Sequence, residues 1–211
     1  MTRPLELVVV TGGLRSPSST RLLADRLGEA AERELTSLAV PIDVQVYELR
    51  ELAVDIANNL ITGFPPPALR AVVDAVTRAA GLIAVTPTFG GSYSGLFKSF
   101  IDVLDRDTLA GKPVLIASTG GTARHSLALE YAMRPLFAHL RSHVVPTAVF
   151  AAPEDWGSAG DDRTSALVGR VGRAAAELSA LIAQRTPKAA PDADDVLPFE
   201  QQLTALRGTQ D

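Results

Sequence analysis

The sequence contains no cysteine, which excludes disulfides, thiolate metal sites and a cysteine nucleophile together. That absence fits a reducing compartment. No uninterrupted apolar run approaches the ~18 residues a membrane span needs, and residues 1–20 lack a charged leader followed by an apolar stretch and cleavage site. The expectation is a cytoplasmic protein with no membrane partner. A formal net charge of -4 leaves no general basic surface, so nucleic acid is not an expected partner. Acidic residues are scattered, apart from Asp192, Asp194 and Asp195. No internal repeat is visible. Of the histidines His125, His139 and His143, the last two stand at i, i+4, but no glutamate follows the first and no third ligand is evident. A metal site is therefore not expected. The letters GSYSG at 91–95 resemble a nucleophile elbow, yet the elbow's serine would have to be Tyr93.

What is present suggests one core. The chain has 211 residues, 46% of them hydrophobic, enough for a substantial single-domain interior. Apolar runs at 5–10, 42–47, 82–86, 114–118 and 145–150 read as strands covered on both faces. Helix-length segments lie at 19–38, 67–80, 94–104, 123–140 and 164–184. In the first, Leu22, Leu23, Leu27, Ala30, Ala31, Leu35 and Leu38 keep an apolar face at helical spacing. Alternating strands and helices predict an α/β, flavodoxin-like three-layer α/β/α sandwich with a five-stranded parallel sheet, order 2-1-3-4-5. Ligands in such sheets bind beyond the carboxyl ends of the strands. Residues 1–185 are assigned to this domain. The stretch RTPKAAPDADDV at 185–196 reads as a linker, followed by a short apolar tail that could dock on its own subunit or on a neighbour.

Three strand-end loops have unusual compositions. The first, GGLRSPSST at 12–20, delivers a glycine turn to a helix N-terminus, where unpaired N–H groups and the helix dipole favour an anion. Arg15, Ser16, Ser18, Ser19 and Thr20 could grip a phosphate there without a metal. It is neither a Walker loop nor a GxGxxG fingerprint, and the plain alternative is a polar turn with a good serine cap. The second, TPTFGGSYSG at 86–95, offers the flat faces of Phe89 and Tyr93. Its proline and glycines should prevent regular structure and bring the main chain close to a planar heterocycle. Its alternative is a turn with Tyr93 in the core. The third, STGGTARH at 118–125, presents Gly120 and Gly121 at a strand end with Thr119, Thr122, Arg124 and His125. His125 joins the cofactor-binding candidates for its proton-exchange capacity, against the alternative of an ordinary surface histidine.

These loops, with LEYAMRPL at 129–136 and VFAAPEDWG at 149–157, together resemble the NADPH-dependent FMN reductase family, and within it the flavin reductases that serve two-component monooxygenases. The resemblance covers roughly 5–185, and VLPFEQQL at 196–203 resembles a tail of one actinobacterial-type branch. It implies FMN at the carboxyl ends of the sheet, with Arg15, Ser18 and Thr20 on its phosphate and Ser16 and Ser19 as neighbours. It implies Pro87, Thr88, Phe89, Gly90 and Tyr93 beside the isoalloxazine and ribityl chain. Thr119, Gly120 and Gly121 would stand at the pyrimidine edge. Many relatives carry serine where Gly13 stands and some carry tyrosine in place of Phe89; both differences would loosen binding. The implied activity is hydride transfer from NADPH, or alternatively NADH, to FMN. The cofactors perform that chemistry themselves, so no catalytic acid–base pair is required. Arg21, Lys98 and Arg124 are the nearest cations for NADPH phosphates. Implied partners are a monooxygenase and a second or further copies of the chain, as homodimer or homotetramer, with Tyr131 either at that interface or an ordinary core tyrosine. Trp156 is either a lid beside the site or a packing anchor. Two other readings stay open: a quinone, azo or metal-oxyanion reductase with fixed FMN, and a non-catalytic flavin-binding protein.

Overall fold

The computed structural model describes residues 4–157 and 162–185; the linker and docking tail expected at 186–211 lie outside the described residues. The elements run β1 (Leu5–Thr11), α1 (Ser19–Ser37), β2 (Ile42–Glu48), α2 (Ala53–Thr62), α3 (Pro67–Arg78), β3 (Gly81–Phe89) and β4 (Ser92–Tyr93). They continue with α4 (Gly95–Val103), β5 (Pro113–Thr119), α5 (Arg134–His139), β6 (His143–Val144), β7 (Val149–Ala151) and α6 (Asp162–Ala183).

The parallel sheet runs β2-β1-β3-β5, and β6 and β7 pair in turn with β5. The two short pieces share one fifth position, so the expected 2-1-3-4-5 flavodoxin-like order holds. Pro146 explains the break, because it has no N–H to give the ladder. Val114 pairs with Val144 and Ala117 with Val149, so four residues (145–148) stand opposite two (115 and 116). The carbonyls of Val145 and Pro146 accept from Arg134 at 3.1 Å each, and Glu177 accepts from the backbone N–H and hydroxyl of Thr147 at 2.7 Å each.

Side chains alternate strictly across the sheet. Val8, Val10, Leu82, Ala84, Val114 and Ile116 face the core under α2–α5. Leu7, Val9, Ile83, Val85, Leu115 and Ala117 face the core under α1 and α6. Burial on both faces is why these strands read as continuous apolar runs. Gly28 lets α1 lie close to the sheet, since a Cβ there would come within 3.3 Å of Val44. At the α1–α6 contact, Ser179 donates to the Ala31 carbonyl at 3.3 Å.

Four expectations change. The strand expected over 145–150 is instead the two short pieces His143–Val144 and Val149–Ala151. Helix α2 was not anticipated. The single helix expected over 123–140 is instead a 3-10 turn at 123–125, a π turn at 129–133 and α5. His139 therefore closes α5 while His143 lies in β6, so they do not share a helical face. The second loop is regular: β3 continues to Phe89 and folds back antiparallel into β4. Gly90 and Gly91, at φ 58° and 80°, form its two-residue turn, the backbone a tight hairpin demands. Among the described residues, no helix is long and apolar enough to cross a membrane.

Candidate functional site

The carboxyl ends of β1, β3 and β5 converge on one cleft of about 630 Å³. Each contributes part of its wall. From the first loop come Arg15, Ser18, Ser19 and Thr20; from the second, Pro87, Thr88 and Phe89; from the third, Thr119, Gly120 and Gly121. Leu14, Pro17 and Pro153 complete it. The Thr20 and Thr119 hydroxyls, buried and 2.8 Å apart, tie the first loop to the third.

The first loop is a row of unspent donors. Ser18 caps α1, its Oγ accepting from the Arg21 backbone N–H at 3.2 Å. The main-chain N–H groups of Gly13, Leu14, Arg15, Ser16, Ser18, Ser19 and Thr20 find no acceptor among the described residues. The first turn of α1 holds no acidic residue, and Arg15 is exposed with no carboxylate partner among the described residues. Donors, helix dipole and guanidinium thus all favour a bound anion. Gly13 is buried behind this row, and a Cβ on it would fall 2.3 Å from the Ser18 Oγ. Glycine there makes room for the capping hydroxyl. Ser16 is exposed and stands outside the lining.

The second loop supplies surface more than charge. Phe89 is 50% exposed at the rim. Thr88 Oγ1 lies 2.8 Å from Ser118 Oγ. Beneath them Ser118 donates to the Thr86 carbonyl at 2.9 Å, and Ser94 donates its N–H to Thr86 Oγ1 at 3.0 Å. Tyr93 is half-buried, its ring 6.3 Å from that of Phe97, so it packs on the core under α2–α5 and is not part of the lining. Gly90 sits at the hairpin tip, also outside it.

In the third loop the two glycines differ. Gly120 spends its N–H on the Ala151 carbonyl at 3.1 Å, and a Cβ on it would meet the Phe150 ring at 2.7 Å. Gly121 has open space around it and an N–H without an acceptor among the described residues. Of the two glycines at this strand end, only Gly121 therefore keeps an uncommitted main-chain donor among the described residues. His125 is exposed, its Cβ 3.5 Å from the position a Gly120 Cβ would take, and does not line the cleft.

Of the other cations considered, Arg21 is committed to Asp25 at 2.7 Å and Glu48 at 2.9 Å. Its hydrogen bond to Asp25 is the main reason its pKa rises above the ordinary value, against the opposing effect of burial. Lys98 is held by both oxygens of Asp102. Arg124 is exposed and engages no carboxylate among the described residues.

Pro153 reaches the cleft because its 3-10 turn, 153–156, is clamped. Asp155 accepts from the Ala152 N–H at 2.8 Å and from Arg170 at 3.2 Å. Arg26 lies 4.9 Å from the Trp156 ring centroid. Trp156 is half-buried against the α1–α6 core, a packing anchor, while its neighbour Pro153 forms the wall. Leu14 and Pro17 escaped notice because apolar residues in a hydroxyl-rich loop carry no signal of which way they point. Pro153 lies in the 149–157 segment, of which only Trp156 is a sequence candidate for the site.

The profile of a family described as NADPH-dependent FMN reductase matches residues 5–157. An FMN reductase (NADPH) of Pseudomonas aeruginosa is 37% identical over 156 residues, 74% of this chain and 81% of that protein. An NADH-dependent FMN reductase of Pseudomonas putida, SfnF, is 35% identical over 72% of this chain and 80% of its own. The crystal structure of an oxidoreductase from Corynebacterium diphtheriae superposes with a TM-score of 0.84 at 41% identity, covering 88% of this chain and all of that one.

Proposed function

Since the chain belongs to the NADPH-dependent FMN reductase family and is an NAD(P)H:FMN oxidoreductase, we propose that it supplies reduced, exchangeable FMN to a partner monooxygenase in the cytoplasm. The single observation that carries the placement of FMN is the run of main-chain donors at 13–20 without acceptors. Those residues fit a phosphate. Arg15 neutralises its charge, Ser19 and Thr20 donate from the helix start, and Ser18 does so while its Oγ also caps α1. When bound, FMN supplies a two-electron acceptor for the nicotinamide hydride.

The remaining work of the protein is holding and orienting. Phe89, Pro87 and Pro153 give flat or apolar surface for the ring, and the Gly121 N–H offers a donor where negative charge grows on reduction. Arg124, without a carboxylate partner among the described residues, is our candidate for a nicotinamide-nucleotide phosphate. Gly13, Ser16, Gly90, Tyr93 and His125 stand outside the lining. The half-exposed Leu14 and Phe89 leave the cleft open on one side, which supports exchange of the flavin in preference to a fixed prosthetic group. Tyr131, 79% exposed on the π turn, and Leu127, 58% exposed, offer an apolar surface for a second copy in a homodimer or homotetramer. The functional unit is residues 1–185, with 186–211 as linker and tail.

The test mixes purified protein with FMN and each nicotinamide donor and follows nicotinamide absorbance. FMN-dependent oxidation under saturating kinetics, with flavin lost on dialysis, is the expected outcome. Flavin that survives dialysis would sink the exchangeable-substrate reading. Adding a flavin-dependent monooxygenase stripped of its own reductase then tests the supply role, with product formation expected. Light scattering on an eluting peak reads the oligomer.

A further inference from the structure

The cleft has a hydrogen-bond polarity that its donor-rich end does not reveal. Ser118 is buried on β5, and its Oγ lies 2.9 Å from the Thr86 carbonyl. A carbonyl can only accept, and a serine hydroxyl has one proton, so that proton is spent on Thr86. The neighbouring contact, Thr88 Oγ1 to Ser118 Oγ at 2.8 Å, must then run the other way, with Thr88 donating. Thr88 has one proton too. Its hydroxyl, which lines the cleft, therefore turns only lone pairs to a ligand.

We infer that Thr88 reads a hydrogen-bond donor on the flavin, either a ring N–H or a ribityl O–H, and that Ser118 is a positioning residue that fixes this polarity from beneath without touching the ligand. The inference rests on the FMN assignment. The first loop recognises what accepts, and Thr88 recognises what donates. A ligand presenting an acceptor at Thr88 would face two lone pairs with no proton between them, a mismatch comparable to a buried unmade bond.

Equilibrium binding by quenching of flavin fluorescence, without nicotinamide, tests this. Thr88→Val should weaken FMN binding about tenfold, while Thr88→Ser, which keeps the hydroxyl, stays within about twofold of the parent. Ser118→Ala should weaken binding about threefold when Thr88 is present and leave it unchanged in the Thr88→Val background; a packing role for Ser118 would give the same loss in both. Two analogues locate the donor. If the Thr88→Val penalty disappears with N3-methyl FMN, the donor is on the ring. If it disappears with a flavin phosphate whose side chain lacks hydroxyls, the donor is on the ribityl chain. A penalty that persists with both overturns the inference. So does tighter binding by Ser118→Ala, or Thr88→Val within twofold of the parent while the parent binds FMN. A parent protein that binds no FMN would remove the cofactor assignment itself and this inference with it.

Discussion

The two sides of the cleft solve opposite problems. On the β1–α1 side the polar groups are unspent: the main-chain donors of 13–16 and 18–20 and the Arg15 guanidinium have no acceptor among the described residues. On the β3–β5 side they are spent on one another, through Ser118 to Thr86, Thr88 to Ser118 and Gly120 to Ala151. The first side waits for charge supplied by a ligand. The second has satisfied itself and leaves mostly surface, with Gly121 and the Thr88 lone pairs as exceptions. A ligand with a phosphate at one end and a flat ring at the other fits that division, because a dianion needs many donors and a ring face needs few.

Breaking the charged side should have the largest effect. Arg15→Ala removes the guanidinium from the anion site, and hydrogen bonds to charged groups contribute about 2 kcal/mol, or roughly a thirtyfold loss in FMN affinity. Riboflavin, which lacks the phosphate, should bind the variant and the parent alike. In the same titrations, FMN binding by the parent should weaken with added salt more than riboflavin binding does. Equal losses for both flavins in Arg15→Ala would place the phosphate elsewhere.

A smaller effect comes from the scaffold behind that side. Gly13→Ala puts a Cβ 2.3 Å from the Ser18 Oγ, so the hydroxyl must leave its capping position. Loss of an N-cap costs about 1 kcal/mol, which lowers the melting temperature by about 2–4 °C for a chain of this size. Adding Ser18→Ala to the variant should cost almost nothing further, as thermal melts of the double variant would show. Phe89→Ala sharpens the comparison from the other side. The ring is half exposed, so its removal should weaken FMN and riboflavin equally, by about threefold. Arg15→Ala changes the ratio of the two affinities and Phe89→Ala preserves it.

A different contrast, between the regular and irregular faces of the sheet, governs what the sequence disclosed. The α1–α6 face was legible because two long helices cover it with repeating apolar residues: Leu23, Leu27, Ala31 and Leu35 recur at i, i+4 and all are buried. On the other face α2 buries only Ile56 and Asn59, too little apolar repetition to announce a helix. The run 123–140 looked continuous, but Pro135 has no N–H for the carbonyl four residues earlier, that of Tyr131, and the chain meets it with a wide π turn at 129–133. The Gly90–Gly91 pair was read as breaking regular structure when its positive φ values close a hairpin. Ten of the cleft's lining residues were legible in the sequence, from loop composition and from the family resemblance together. Ser118 was not singled out, because a serine inside an apolar strand carries no sign of where its proton goes.

The smallest effect asks how well insulated the self-satisfied side is. Its outer strand is broken at Pro146, and Arg134 bonds the Val145 and Pro146 carbonyls there while donating to both oxygens of Glu130. Those hydrogen bonds chiefly hold the Glu130 carboxyl below its ordinary pKa, with burial opposing. A depressed carboxyl stabilises the fold above its unfolded value, about 4.3, and that contribution is lost as pH falls through the lower folded value. Because Glu130 is nearly half exposed, the pair contributes only about 0.5 kcal/mol. Glu130→Gln should therefore be less stable than the parent by about that amount at pH 7 in urea unfolding, and the two should converge below about pH 4. Flavin affinity should be unchanged at pH 7, since Arg134 keeps its carbonyl partners in the variant. If FMN binding falls along with stability, the fifth strand transmits strain through Phe150 to Gly120, and the β3–β5 side is coupled to the ligand despite having spent its own polar groups.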